Sequence, residues 1–284
     1  TTGGQAVTSR VAQVIKLQYR RVVIGNSPPH VSRFKVGRSM LNAGCSFLVF
    51  LLFAFPTHAA PAADLLFRAG AEAYHNGDYP AAAAAFRQSA ALRPACGTLQ
   101  NLGNAEWETG QTGPAILAWE QALWLNPLAE ASRNNLRFAR KNAQLESPDL
   151  TWYEAVSAWL PLNGWGWLCA LSLWLVVGMG LLPGIFRVRK AAWHQAVAAF
   201  GLALFLLSIP AQIGIETLSR LGFVIQKNTP LRLTPTAQAQ YLTRLAAGEP
   251  ARVERVHGQY LLLRTNRALG WVEKSQFGLV TQVR

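Results

Sequence analysis

Charge is scarce in this chain. Only 14% of its 284 residues are Asp, Glu, Lys or Arg, against about 25% in an ordinary soluble domain. Acids are scarcer than bases, 14 against 27, and the formal net charge is +13. A chain that is 51% hydrophobic and so poorly charged reads as a membrane protein rather than a freely soluble globule or an acidic disordered tail. Cysteine is nearly missing. Cys45, Cys96 and Cys169 make no CxxC pair, which excludes a disulfide framework and a cysteine zinc site. The five histidines are scattered, and no HExxH, GxSxG or Walker loop occurs. Glu106 and Glu108 are two residues apart and do not share a helix face. The expectation is a protein without enzymatic chemistry and without a cofactor or metal.

The positive charge is unevenly placed. Residues 1–63 carry seven bases and no acid, residues 64–163 carry seven bases and ten acids, residues 164–215 three bases and no acid, and residues 216–284 ten bases and four acids. No segment interleaves Lys/Arg with aromatics as a nucleic-acid groove requires, so no nucleic-acid partner is expected.

Three apolar stretches organise the chain. Arg33, Lys35 and Arg38 precede Cys45 to Phe55, an apolar run of secretory-signal length, followed by small residues to Ala63. Cleavage after Ala59 or Ala62 is expected, giving an upstream segment and signal peptide over 1–62; an uncleaved anchor is the alternative. Met40 is the first methionine, so residues 1–39 read as upstream sequence or an extended basic region.

The other two stretches form a transmembrane helical hairpin over 160–216. Gly164 to Phe186 rises about 34 Å as a helix, enough for a hydrocarbon core of about 30 Å. The second runs from Ala191 to Ile215. Trp152, Trp159, Trp165, Trp167 and Trp193 flank the pair as interfacial aromatics do. Three charges in Arg187-Val188-Arg189-Lys190 mark this loop as cytoplasmic, which sends residues 64–150 and 220–284 to the outer side, as the leader does independently.

An internal repeat fills residues 63–127. Gly70 recurs as Gly103, Tyr74 as Trp107, Gly77 as Gly110, Ala82 as Ala115, Phe86 as Trp119 and Pro94 as Pro127, each at an offset of 33. A period of this size predicts stacked helical hairpins. Gly70 and Gly103 mark the close approach of the two helices, Gly77-Asp78 and Gly110-Gln111 the turns, and the prolines the helix ends. A further helix, Leu128 to Leu145, presents Arg133, Arg137, Arg140 and Lys141 and suits a solvated cap.

The words GAEAYHNGDYPAAAAAFRQSAALRP and LGNAEWETGQTGPAILAWEQALWLNP resemble the tetratricopeptide repeat, the second more closely; the first has Ala69 where that family usually has leucine. The resemblance implies an all-α repeat domain over 63–147 that binds protein or peptide segments in a groove lined by the first helix of each repeat. Carried over, the groove candidates are Arg68, Ala71, Tyr74, His75, Asn101, Asn104, Trp107 and Glu108. Tyr74 and Trp107 also read as packing residues, since aromatics dominate cores as well as interfaces.

The tail changes texture. Short runs of Val, Leu and Tyr predict strands near 222–227, 230–233, 251–256, 260–264 and 269–272, with His257-Gly258-Gln259 as a hairpin turn. Five short strands suggest a small closed all-β barrel. The order Pro230-Leu231-Arg232, Gly248-Glu249-Pro250 and Gly270-Trp271-Val272 resembles the bacterial SH3-like domain, over 220–284. That resemblance implies a docking barrel or a binder of cell-wall peptides, with Arg232, Tyr260 and Trp271 as surface candidates; Trp271 also reads as core.

The multidomain whole, from leader through repeats and spans to barrel, resembles the Bat-type membrane proteins of bacterial aerotolerance operons. It implies a scaffold in the bacterial inner membrane, with the repeats and the barrel on the periplasmic side. The implied partners are membrane-anchored von Willebrand factor A proteins and a MoxR-type AAA+ ATPase. The competing reading is a cell-wall sensor whose barrel binds peptidoglycan stem peptides.

Overall fold

Turn chemistry sets the helical part. In the computed structural model, which describes residues 59–185 and 191–281, helix α1 (Ala59–His75) and α2 (Tyr79–Leu92) meet at Gly77, and α3 (Cys96–Glu108) and α4 (Thr112–Leu125) meet at Gly110. Both glycines adopt φ near +80° (+81° and +77°), which a Cβ would strain. The Asp78 side chain caps α2 by accepting the Ala81 N–H at 3.1 Å. Each second helix ends two residues before its proline. Helix α5 (Glu130–Ala143) follows, ending in a left-handed Gln144. The signal segment upstream of residue 59 and the basic loop at 187–190 lie outside the described residues, while the last small residues of the expected cleavage region fall within α1.

The 33-residue offset has a packing cause. A Cβ on Gly70 would lie 2.9 Å from the Phe86 ring, and one on Gly103 would lie 2.5–2.8 Å from the Trp119 indole. Each glycine thus lets the large ring of its own hairpin lie flat on the first helix. Phe86 and Trp119 are buried in consequence.

A short helix absent from the sequence reading, α6 (Trp152–Ser157), leads into two long ones, α7 (Leu162–Ile185) and α8 (Ala192–Leu218). Both are long and apolar enough to cross a membrane. They pack together at Gly201, where a Cβ would meet Leu175 at 2.7 Å and the Ser172 carbonyl at 3.2 Å. Away from that seam Trp167, Leu171, Trp174, Phe200, Leu206 and Ile213 are exposed, Trp174 by 73%. Pro210 lies inside α8 without ending it.

The tail forms one antiparallel sheet of seven strands in the order β3-β2-β6-β5-β4-β1-β7. The strands are β1 (Leu221–Val224), β2 (Thr229–Arg232), β3 (Tyr241–Leu245), β4 (Pro250–His257), β5 (Tyr260–Arg264), β6 (Leu269–Glu273) and β7 (Phe277–Leu279). Two strands were not expected. β3 is mostly exposed and β7 has three residues, so neither carries a strong alternating pattern. The hydrogen-bonded order is open, where the sequence suggested a closed barrel. Helix α4 covers the β7 edge instead of β3: the Gln121 amide donates to the Leu279 carbonyl at 3.1 Å, and Leu117 lies over Gly278.

From Pro61 onward the chain is one compact unit. Alternation in β1 explains the join, because Val224 points into the sheet core with Leu231, Leu263 and Val272 while Phe223 points the other way. Phe223 and Leu221 share a second core with Ala115, Ile116 and Trp119 of α4 and Leu136 and Ala139 of α5. The helical array and the sheet therefore have a common hydrophobic core.

Candidate interaction site

Glycines again permit the close contact between array and sheet. A Cβ on Gly113 would strike the Ile225 carbonyl and lie 2.7 Å from that of Val224. Gly248, at φ +86°, lies against Ile116 and Leu145. Beside this contact a cleft of about 440 Å³ opens between α3, α4, the end of α5 and two sheet loops. Trp107, Thr112, Asn142, Lys227, Asn228 and Ala247 line it. Trp107 is half-buried there, its ring 6.0 Å from Trp119 and 5.8 Å from Phe138.

The residues proposed for the groove separate into distinct surroundings. Arg68 and His75 are exposed on α1 and Ala71 is half-buried. Tyr74 is buried, edge-on to Tyr79 at 5.2 Å. Burial, and then the charge of Glu108, push the Tyr79 hydroxyl above its ordinary pKa, so Tyr74, Tyr79 and Glu108 form one neighbourhood. Asn101 and Asn104 are inside the array. Asn104 is 5% exposed, and its Oδ1 accepts from Trp119 Nε1 at 3.1 Å and from Asn135 Nδ2 at 2.8 Å. This amide ties α3 to α4 and α5, rather than facing solvent as a groove lining would. Asn101 is 2% exposed.

The three sheet candidates share one face. Cα pairing sets Arg232 beside Trp271, Trp271 beside Leu262, and Tyr260 beside Glu273. All three candidates are half-buried, and the buried residues of the same strands alternate with them toward the sheet core. Trp271 thus lies on the outer face, with the His257 ring 6.1 Å away. Arg232 donates to the Ala237 carbonyl at 2.5 Å.

One cluster was not singled out from the sequence. Arg252 of β4 grips Glu154 of α6 with two hydrogen bonds, Nη1 to Oε1 at 2.6 Å and Nη2 to Oε2 at 2.9 Å. It also donates to the carbonyls of Asp149 at 3.0 Å and Thr217 at 3.4 Å. Glu154 accepts from the Thr151 N–H and hydroxyl at 2.8 and 2.9 Å. Burial pushes the Glu154 carboxyl up, but Arg252, the Thr151 amide and the Thr217 and Thr151 side chains outweigh it and hold the pKa below the ordinary carboxylate value. The Thr151-x-x-Glu154 capping signature stands in the sequence and could have marked the start of α6; the partner 98 residues away carries no local signal. Arg140 similarly pairs with Glu120 and lies 5.9 Å over the Phe223 ring, although burial still pushes the Glu120 carboxyl up.

No protein-family model, curated protein or solved structure matches the chain.

Proposed function

We propose that the chain is a non-catalytic membrane-anchored scaffold of the Bat type. In this reading α1–α5 are tetratricopeptide hairpins, the sheet is an SH3-like domain, and α7–α8 span the bacterial inner membrane with both modules on its outer side. The observation that carries the reading is the common core of Phe223, Trp119 and Leu136, with the Arg252–Glu154 pair. It puts array and sheet at one end of the α7–α8 hairpin, as two modules on the same side of a membrane require. Partners meet a preassembled body, so little ordering entropy opposes binding. The cleft at Trp107, Asn142 and Lys227 is where a partner segment would touch both modules at once.

The proposed partners are membrane-anchored von Willebrand factor A proteins, coupled across the membrane to a MoxR-type AAA+ ATPase. Crosslinking of the tagged full chain in native membranes tests this. Recovery of a von Willebrand factor A protein, weakened by Lys227→Glu in the cleft, is the expected result. Recovery that is unaffected by Lys227→Glu removes the cleft from the reading, and recovery of no such protein removes the partner.

A second reading, a sensor of peptidoglycan stem peptides, is favoured by the row of Arg232, Trp271 and Tyr260 on one sheet face. Retention of the full chain on purified peptidoglycan, lost in Trp271→Ala, would support it.

A further inference from the structure

A second cavity, of about 290 Å³, lies where the helical array, the 147–150 linker, α6 and the membrane hairpin converge. Its composition is amphiphilic. The walls are largely apolar, with Leu123 and Trp124 of α4, Leu150, Leu160, and Ile215 and Leu218 of the last turn of α8. Arg133 and Arg140 of α5 and Glu120 supply the charge. Arg140 and Glu120 neutralise each other as an ion pair. Arg133 is exposed, donates to the Pro127 carbonyl, and pairs with no carboxylate among the described residues. An arginine has five N–H donors, so most of this guanidinium is available to an anion.

The position of the cavity matters as much as its lining. Leu160 lies two residues before α7 begins, and Leu218 is the last residue of α8. These are the ends at which both candidate spans would leave a bilayer. Exposed apolar side chains continue from the cavity over its surroundings in sequence: Leu128, Leu150, Trp152, Trp159 and Leu160. Large exposed aromatics and leucines beside a span end belong at the headgroup level.

We propose that this cavity is a binding site for an anionic phospholipid of the surrounding bilayer, whose acyl chain enters between Leu123, Trp124, Leu150 and Leu218 while its phosphate meets Arg133. The inference rests on the membrane reading of α7 and α8. Charge complementarity and continuity with the span ends select this occupant: a soluble polar ligand would leave the leucine walls unmatched, and a neutral hydrocarbon would gain nothing from the Arg133 charge at the cavity's edge. A lipid seated here touches α4, α5 and α6 together, and so fastens the array to the membrane surface.

The test is photo-crosslinking of the full chain in vesicles doped with a phosphatidylglycerol carrying a diazirine in its acyl chain, followed by peptide mapping. Labelling is expected at Leu123–Trp124 and at residues 147–150, in addition to the lipid-facing surfaces of α7 and α8. Arg133→Glu should cut the first two about tenfold while α7 and α8 label as before. Ala158→Phe, which projects a ring into the cavity from an exposed position on its wall, should do the same. The matching phosphatidylcholine probe should label these two peptides less, and excess inorganic phosphate should not compete. Labelling of α7 and α8 alone overturns the proposal and leaves the membrane reading standing. Equal cavity labelling by both lipids and in Arg133→Glu overturns it too, because that is bulk bilayer contact, and competition by phosphate overturns the acyl-chain assignment. Failure of the chain to enter vesicles, with no label on α7 or α8, removes the membrane reading and the proposal with it.

Discussion

Replacing Arg252 with methionine should release the sheet from the segment that leads into the α7–α8 hairpin. Methionine keeps much of the unbranched stem but removes the guanidinium that bonds both Glu154 oxygens, at 2.6 and 2.9 Å. Glu154 is 1% exposed, so its charge would stay buried with only the Thr151 donors and Thr217 hydroxyl nearby. Removing one partner of a buried pair costs about 3–5 kcal/mol. The Arg252 side chain is 27% exposed, and water reaching the vacated site lowers the expected cost to about 2–3 kcal/mol. That corresponds to roughly 30- to 160-fold more frequent opening of residues 146–157 against β4, read by amide hydrogen exchange on the full chain in detergent.

The pH dependence has a definite sign. The folded Glu154 pKa lies below its unfolded value, so its stabilisation is complete above about pH 4.3 and is lost as pH falls through the folded pKa. Arg252→Met should therefore flatten the acid limb of exchange in 146–157. Glu154→Gln should cost less, about 1–2 kcal/mol, because it leaves a partly solvated Arg252 rather than a buried carboxylate. Unchanged protection of 146–157 in Arg252→Met, or a rise spread evenly over α1–α5 and the sheet, would refute the reasoning.

Asn104→Ala should lower the thermal melt, since it strands the buried Trp119 Nε1–H at a cost of about 1–3 kcal/mol; an unchanged melt would show the amide to be dispensable for packing. Gly103→Ala forces a methyl into the Trp119 indole and should cost about 1–3 kcal/mol, whereas Gly97→Ala, which meets nothing within 4 Å, should leave the melt in place. Gly113→Val drives a branched side chain onto the Ile225 backbone; exchange should rise along β1 and β7 while α1 and α2 keep their protection. For topology in a cysteine-free background, reporters at Arg137 and Gln259, both exposed, should label with an impermeant thiol reagent from the outer side, and one at Val188 only after lysis. Ser132 is 0% exposed and would report burial instead of sidedness.

Much of the local architecture was legible because its causes are local. The repeat of Gly70 with Phe86 as Gly103 with Trp119 announced two hairpins, since a missing Cβ and a large ring must occur together wherever helices approach this closely. Uncharged runs of more than twenty residues announced α7 and α8 by length and solvation alone. The strands with dense Val and Leu were visible, while β3 and β7 depend on neighbours to be strands at all. For Trp271 the sequence left surface and core both open, and it is the burial of its neighbours Gly270 and Val272 in β6 that puts it on the outer face. What lay opposite each face could not be read this way. Asn104 looked like a groove amide because helix position sets direction, yet Trp119 and Asn135 occupy the space in front of it. The common core around Phe223, the open sheet edge covered by Gln121, and the Arg252–Glu154 pair all join residues far apart in the chain. Periodicity reports which side chains must leave water; only the packed structure decides which partner removes them from it.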